Sequence, residues 1–333
     1  LDLSGIQHFF MLEHIQLVQG APVSLDPLAK LNALNLLEIG NVSGWQMRDF
    51  SPLKALYNLR DLSWDHADFI QADDYLVLER LHNLTAIGFG RSESMVNIEF
   101  LRQFPRLQRV GIQENAISDF SPIGELEHLV YLNIYEQFND SEIDLGFLRN
   151  NLELGTLYVG GRFYGYESIA YMKNLKHLGL LNTVEGRVLG NPEFLSSLTT
   201  LISIGLGNWG LTSLDIIDAP NLNMLSFYGN QLADVSELDR FTNLKWVDLH
   251  SNSLSSLGST LAEWAASTDE PVYFNLSNNP LPCTEIDAAR ANPNITVEFD
   301  GQCGLLGIDA FKFDAPARPY AVYHYALDSA PFT

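Results

Sequence analysis

The chain has 333 residues, 46% of them hydrophobic, which is ample for a sizeable core. Its formal net charge of −22, from 41 acids against 19 bases, argues against a nucleic-acid face, which needs basic stripes, and against an anionic membrane surface for the same reason. No apolar run approaches the roughly 18 residues of a membrane-spanning helix. The acidity reads first as the solubility of an extracellular or salt-exposed surface, and second as attraction to a basic partner or to divalent cations.

In chain order, Leu1-Asp-Leu3-Ser-Gly-Ile6 reads as the second half of a repeat, so a cap, a further repeat or a processed leader is expected upstream. From Leu12 one phrase keeps returning. It is clearest from Leu107 to Ile117, where it reads L-x-x-V-x-I-x-x-N-x-I. Its first position recurs at Leu12, Leu34, Leu59, Leu84, Leu107, Leu129, Leu154, Leu175, Leu201, Leu222 and Leu244, and a weaker copy starts at Pro271. The spacings run from 21 to 27 residues and keep one phase. Within each copy the apolar residues at slots four and six alternate inward along a strand, and slots two, three, five and seven face out. No single copy can bury its leucines alone, but stacked copies bury a continuous ladder.

The period and the L-x-x-L-x-L core resemble the leucine-rich repeat family. The linkers Phe50-Ser-Pro52-Leu53, Phe120-Ser-Pro122-Ile123 and Val235-Ser-Glu-Leu238 resemble its short bacterial internalin-like subclass. The resemblance implies an α/β-repeat solenoid over residues 1–282, with a curved, parallel, concave β-sheet and 3₁₀ or irregular segments on the convex side. The family places Asn at slot nine. Asn115, Asn230, Asn252 and Asn279 fit, whereas Ser92, Gln137, Arg162, Thr183 and Trp209 are among the residues that replace it. A broken Asn ladder and irregular turns are therefore expected.

Between Leu34 and Leu59, Trp45 and Met47 read as core filling under a long loop. Asp65, His66, Asp68, Asp73 and Asp74 read as a solvated acidic turn. Oxygen ligands so close also suit Ca²⁺, although the alternation of an EF-hand loop is absent, so no metal is assigned. Asp61 and Asp65, at slots three and seven of one copy, read as charge rather than as a catalytic pair.

In the middle copies Tyr131, Asn133, Tyr135, Tyr158 and His177 occupy outward slots and are expected to form one patch. The segment Gly160-Gly-Arg162-Phe163-Tyr164-Gly-Tyr166 holds aromatics that are hard to bury in one short turn. Tyr228, Trp246 and His250 form a second aromatic set, with Tyr273 in the slot that Trp246 fills one copy earlier. Gly88, Gly111, Gly179 and Gly205 leave slot five bare, and glycine within a strand often marks close approach of another group.

After Leu257 the segment Ser259–Ser267 reads as a short amphipathic helix capped by Ser259. A second helix is expected over Thr284–Asn292 with Thr284 as its cap, followed by a brief strand over Thr296–Phe299. The order N-P-L-x-C, helix, strand, Cys resembles the closing caps of secreted leucine-rich repeat proteins. That resemblance implies a Cys283–Cys303 disulfide pinning a cap over 283–303 and an oxidising compartment. Two free thiols are the competing reading, and they would allow a cytoplasmic protein. Residues 304–333 read as a tail or an extra β-hairpin.

No G-x-S-x-G, H-E-x-x-H or P-loop occurs, and the eight His residues are scattered. The chain thus reads as a non-catalytic module without cofactor. It is expected to bind a protein partner through the concave face, without nucleic acid or membrane insertion, in a secreted or surface bacterial setting. A carbohydrate ligand, or a structural role as spacer or assembly unit, are the alternatives.

Overall fold

The computed structural model describes residues 1–17, 22–40, 49–65, 72–92, 94–138, 141–258 and 271–300. These fall into two compact units: Leu1–Leu154 with Gly161–Ser168, and Gly155–Gly160 with residues 169–300.

In the first unit slots three to six of each copy form a short strand: β1 (His14–Leu17), β2 (Leu36–Ile39), β3 (Asp61–Asp65), β4 (Ala86–Gly90), β5 (Arg109–Gly111) and β6 (Tyr131–Ile134). All pair in parallel, in sequence order. The register sets Ile15, Leu37, Leu62, Ile87, Val110 and Leu132 side by side, one buried residue per rung. A one-residue slip would turn every one of them to solvent, which is why the phase survives repeats of unequal length. The surplus residues go into the linkers. A small second sheet pairs β7 (Ile143–Asp144) with β9 (Phe163–Tyr164). Between them in sequence, β8 (Thr156–Gly160) belongs to the second unit.

The second unit continues the pattern with β8, β10 (His177–Leu181), β11 (Ser203–Gly207), β12 (Met224–Ser226), β13 (Trp246–Asp248), β14 (Val272–Asn275) and β15 (Ile295–Glu298). Here Leu157, Leu178, Ile204, Leu225, Val247, Phe274 and Val297 stand in register.

The linkers behave as their residues dictate. Ser51–Ala55, Ser121–Glu125 and Ser236–Arg240 are single 3₁₀ turns. In the first two, proline near the start supplies a preset φ at a position that needs no donor. An aspartate two residues upstream accepts the first free N–H: Asp49 from Ser51 at 2.9 Å, Asp119 from Ser121 at 2.8 Å and Asp234 from Ser236 at 3.0 Å. Hydrogen bonds from the serine side chain and then the backbone hold Asp49 and Asp234 below the usual carboxylate range, and those from the Ser121 backbone and then its side chain do the same for Asp119.

Buried asparagines run where the sequence places them. Asn230 donates to the carbonyls of Leu206 and Phe227 and accepts from the N–H groups of Trp209 and Leu211. Asn115, Asn252 and Asn279 make the equivalent bonds. The expected breaks are partly filled. Gln137 donates to Ile112 O at 2.8 Å and accepts from Ile117 N, and the Trp209 indole donates to Leu180 O at 2.8 Å. A longer amide or an indole N–H also reaches a buried carbonyl, so slot nine selects a donor rather than asparagine alone.

Neighbouring linkers in the second unit are clamped by charge. Glu237 accepts from the Ser213 hydroxyl at 2.9 Å and from Leu214 N, and Arg240, one turn on, donates to Leu214 O at 3.0 Å. Glu285 repeats the first half of the device on Ser256 and Leu257 N.

One α-helix is described, α1 (Cys283–Arg290). It starts one residue before the expected Thr284 cap, because Pro282 is extended (ψ 138°) and its carbonyl receives the N–H of Glu285. Thr284 therefore lies inside the first turn. β15 covers 295–298 and extends the parallel ladder by one rung. Trp45, Met47, His66, Asp68, the 259–267 helix, Cys303 and the 304–333 tail lie outside the described residues, as do the side chains of Asp65, Asp73 and Asp74. Among the described residues no helix is long and apolar enough to cross a membrane.

Candidate recognition face

Alternation turns slots three, five and seven away from the core. In the second unit β8 offers Tyr158, half-buried at slot five. β10 offers His177, also half-buried. Burial, then the neighbouring Lys176 charge, pushes its pKa below the usual imidazole value and favours the neutral ring. β11 is nearly bare, with Ser203, Gly205 and Gly207 at its outward slots.

The richest chemistry lies on β12–β15. Trp246 and Tyr273 stand in register at slot three of adjacent strands. Their rings stack with centroids 6.2 Å apart and planes 13° from parallel. The Tyr273 hydroxyl donates to the Glu298 carboxylate one strand further on. At slot seven Tyr228 and His250 stack at 4.9 Å with planes 1° apart. Asp248, at slot five between the two aromatic pairs, holds His250 through Nδ1 at 2.6 Å and through the backbone N at 3.2 Å. A carboxylate so placed fixes both the ring's orientation and its tautomer.

Gly207 shows what one bare position is for. A Cβ there would meet the Tyr228 ring at 2.4 Å and Leu181 at 2.7 Å. The group that approaches this glycine is the chain's own tyrosine, so the side chain's absence lets Tyr228 lie back across β11.

The first unit presents less than the sequence implies. Tyr131 is half-buried, with the Arg109 guanidinium 5.7 Å above its ring. Asn133 and Tyr135 are buried, at 6% and 8% exposure, and are not available as an exposed patch. Asn133 accepts the N–H of Tyr135 through Oδ1, and Tyr135 is the last residue before the chain turns at Glu136 (φ 53°). Phe163 and Tyr166 are likewise buried. Their segment is not a loose turn: Phe163 belongs to strand β9, edge-on to Phe120 at 5.6 Å, and Tyr166 opens a 3₁₀ helix over Tyr166–Tyr171. Only Tyr164 of that segment is exposed among the described aromatics.

Asp61 is partly buried and feels the charges of Arg109 and Glu38 on nearby strands. Burial pushes its carboxyl up to about 6, with Arg109 pulling it down and Glu38 pushing it further up. Between pH 3.8 and about 6 the native chain therefore binds a proton that the unfolded chain does not, so Asp61 subtracts stability above pH 6 and none below 3.8. Asp61→Asn is expected to stabilise the chain at pH 7.5 by on the order of 1–3 kcal/mol, with the gain vanishing as pH falls toward 4. Urea midpoints of both proteins across that range check it. Among the described residues no group of three or more His, Cys, Asp or Glu side chains is placed to hold a metal ion.

Glu298 and Gly207 were not legible as parts of this face. The last rung begins at Asn294 without the leucine phrase, which hides the register of Glu298, and nothing local tells a floor glycine from one under a neighbour's ring.

No family model matches the chain. A zebrafish (Danio rerio) transforming growth factor beta activator, LRRC33, is 34% identical over 117 residues, which is 35% of this chain and 17% of that protein. The chain thus spans under a fifth of the length of that curated relative. An internalin, InlF of Listeria monocytogenes, superposes with a TM-score of 0.65 at 21% identity, over 89% of this chain and 82% of that one. The functional domain of InlJ from the same organism gives 0.51 at 12% identity over 83% and 72%, and the leucine-rich repeat protein LIC12759 of Leptospira interrogans gives 0.50 at 16% over 89% and 92%. These likenesses establish the fold: a leucine-rich repeat ladder resembling that of the internalins.

Proposed function

We propose that this chain, a leucine-rich repeat ladder resembling the internalins in fold, is a non-catalytic recognition module that binds a protein partner through the outward strand face of its second unit. One observation carries the reading. Tyr228, Trp246, His250 and Tyr273 are four half-buried aromatic side chains on three consecutive copies of the repeat, held in fixed orientation by ring stacking and by Asp248. Preorganised aromatic anchors that lose no rotamer freedom on contact are what binding hot spots use. A face of short strands offers extended contact rather than a deep pocket. Tyr158 and His177 extend it toward β8.

Selection of a displayed random-peptide library on the immobilised protein tests this. Binding clones should weaken at least tenfold on Trp246→Ala while the thermal midpoint stays within a few degrees. Clones indifferent to Trp246, Tyr228 and Tyr273 would end the proposal. The assembly alternative has its own support in Phe9, Phe10 and Met11, exposed at 66, 67 and 71%. Self-association abolished by Phe10→Ser, with the aromatic variants silent, would favour it.

The secreted setting rests on the cap. Among the described residues no cysteine is free, and the chain has two. A Cys283–Cys303 bond would tie the start of α1 to the stretch after β15 and close a loop of about 20 residues, worth roughly 3 kcal/mol. A thiol count on the unfolded, unreduced protein should give zero. Two thiols would overturn both the cap and the oxidising compartment.

A further inference from the structure

We infer that the partner presents an arginine side chain to the second unit, its guanidinium lying on the Trp246–Tyr273 pair with the Asp248 carboxylate as counter-charge. The inference rests on the recognition reading above and adds the chemistry of what is recognised.

The first support is a precedent inside the chain. On the first unit's face Arg109 at slot three lies over Tyr131 at slot three of the next strand, 5.7 Å from the ring centroid. The same two slots on β13 and β14 hold Trp246 and Tyr273. No outward strand position of the second unit, from β8 to β15, is an arginine. An incoming guanidinium would thus repeat a contact that this fold already makes, on a larger indole surface, which is the best aromatic for it.

The second support is charge. Asp248 lies two residues along the strand from Trp246, on the same face, and Glu298 is bonded to the Tyr273 hydroxyl. Both carboxylates flank the stacked rings. Asp248 is 8% exposed, and a carboxylate so enclosed is weakly screened. Its Oδ1 is engaged by the His250 ring and backbone N–H, which orients the group. The chain's net charge of −22 draws a cationic partner toward this face from a distance. Arginine is favoured over lysine because a planar, weakly hydrated guanidinium stacks on rings while its N–H groups still reach a carboxylate.

The test is the same displayed library, sequenced after selection on wild type, Trp246→Ala, Trp246→Phe and Asp248→Asn. Asparagine keeps the oxygen that accepts from His250, so Asp248→Asn removes charge with little change of shape. Clones lost on Trp246→Ala should be enriched in arginine over lysine. They should be retained within a few fold on Trp246→Phe, weaken at least fivefold on Asp248→Asn and weaken with added salt. Synthetic peptides from the best clones, with arginine replaced by citrulline, should lose at least tenfold. Trp246-dependent clones without arginine enrichment, or indifferent to citrulline, would overturn this inference and leave the recognition reading standing. An absence of Trp246-dependent clones, with Trp246-dependent binding on a glycan array instead, would overturn both.

Discussion

Trp209→Ala should lower the stability of this chain by about 3–5 kcal/mol, among the largest effects of any single side chain. Trp209 is 1% exposed, and its indole N–H is the donor that reaches Leu180 O at 2.8 Å. Alanine removes two things at once. A cavity of indole size opens between rungs that have no other core to collapse onto, and a buried carbonyl loses its partner. Trp209→Phe separates them: most of the packing returns but the donor does not, and the loss should fall to about 1–2 kcal/mol. Urea denaturation followed by far-UV circular dichroism reads both. A Phe variant as damaged as Ala would mean that the hydrogen bond, not the volume, makes tryptophan the choice at slot nine.

Asn230→Ala is the second large effect. The amide is 6% exposed and joins two rungs through the carbonyls of Leu206 and Phe227 on one side and the N–H groups of Trp209 and Leu211 on the other. Removing it leaves both donors and both acceptors without that partner, away from water. The expected loss is on the order of 3–4 kcal/mol, more than the volume of one amide explains. Asn230→Asp should fare little better, since a carboxylate accepts from Trp209 and Leu211 but cannot donate to the two carbonyls. Because Asn230 accepts from the backbone of Trp209, the double variant Trp209→Ala/Asn230→Ala should cost about 1 kcal/mol or more less than the sum of the singles. A strictly additive result would show that the two residues support the turn independently.

The repeat was legible because burial imposes it. Leu37, Leu62, Ile87, Val110 and Leu132 share one register, and any insertion inside a strand would break the row, so length varies only in linkers. The turn chemistry is equally local. The Asp-Phe-Ser-Pro runs before Leu53 and Ile123 spell an acceptor two residues ahead of a preset φ, and the structure has 3₁₀ turns at both. The asparagine slot was half legible: Asn115, Asn230, Asn252 and Asn279 announce themselves, but that Gln137 and Trp209 do the same work depends on side-chain reach across a rung.

The sequence by itself determined the phase of the rungs, the inward rows of leucine and the outward slots of Tyr228, Trp246 and His250, because a period of two on a strand and a fixed register leave no alternative. Tertiary structure alone decided which outward aromatics remain reachable. Tyr135 and Tyr166 are as aromatic as Tyr228 but are buried. The strand pairing of β7 with β9 was equally invisible, since two-residue strands carry no periodicity. Whether a side chain stands open or is covered depends on neighbours 20 or more residues away, and spacing along one chain does not specify where their atoms come to rest.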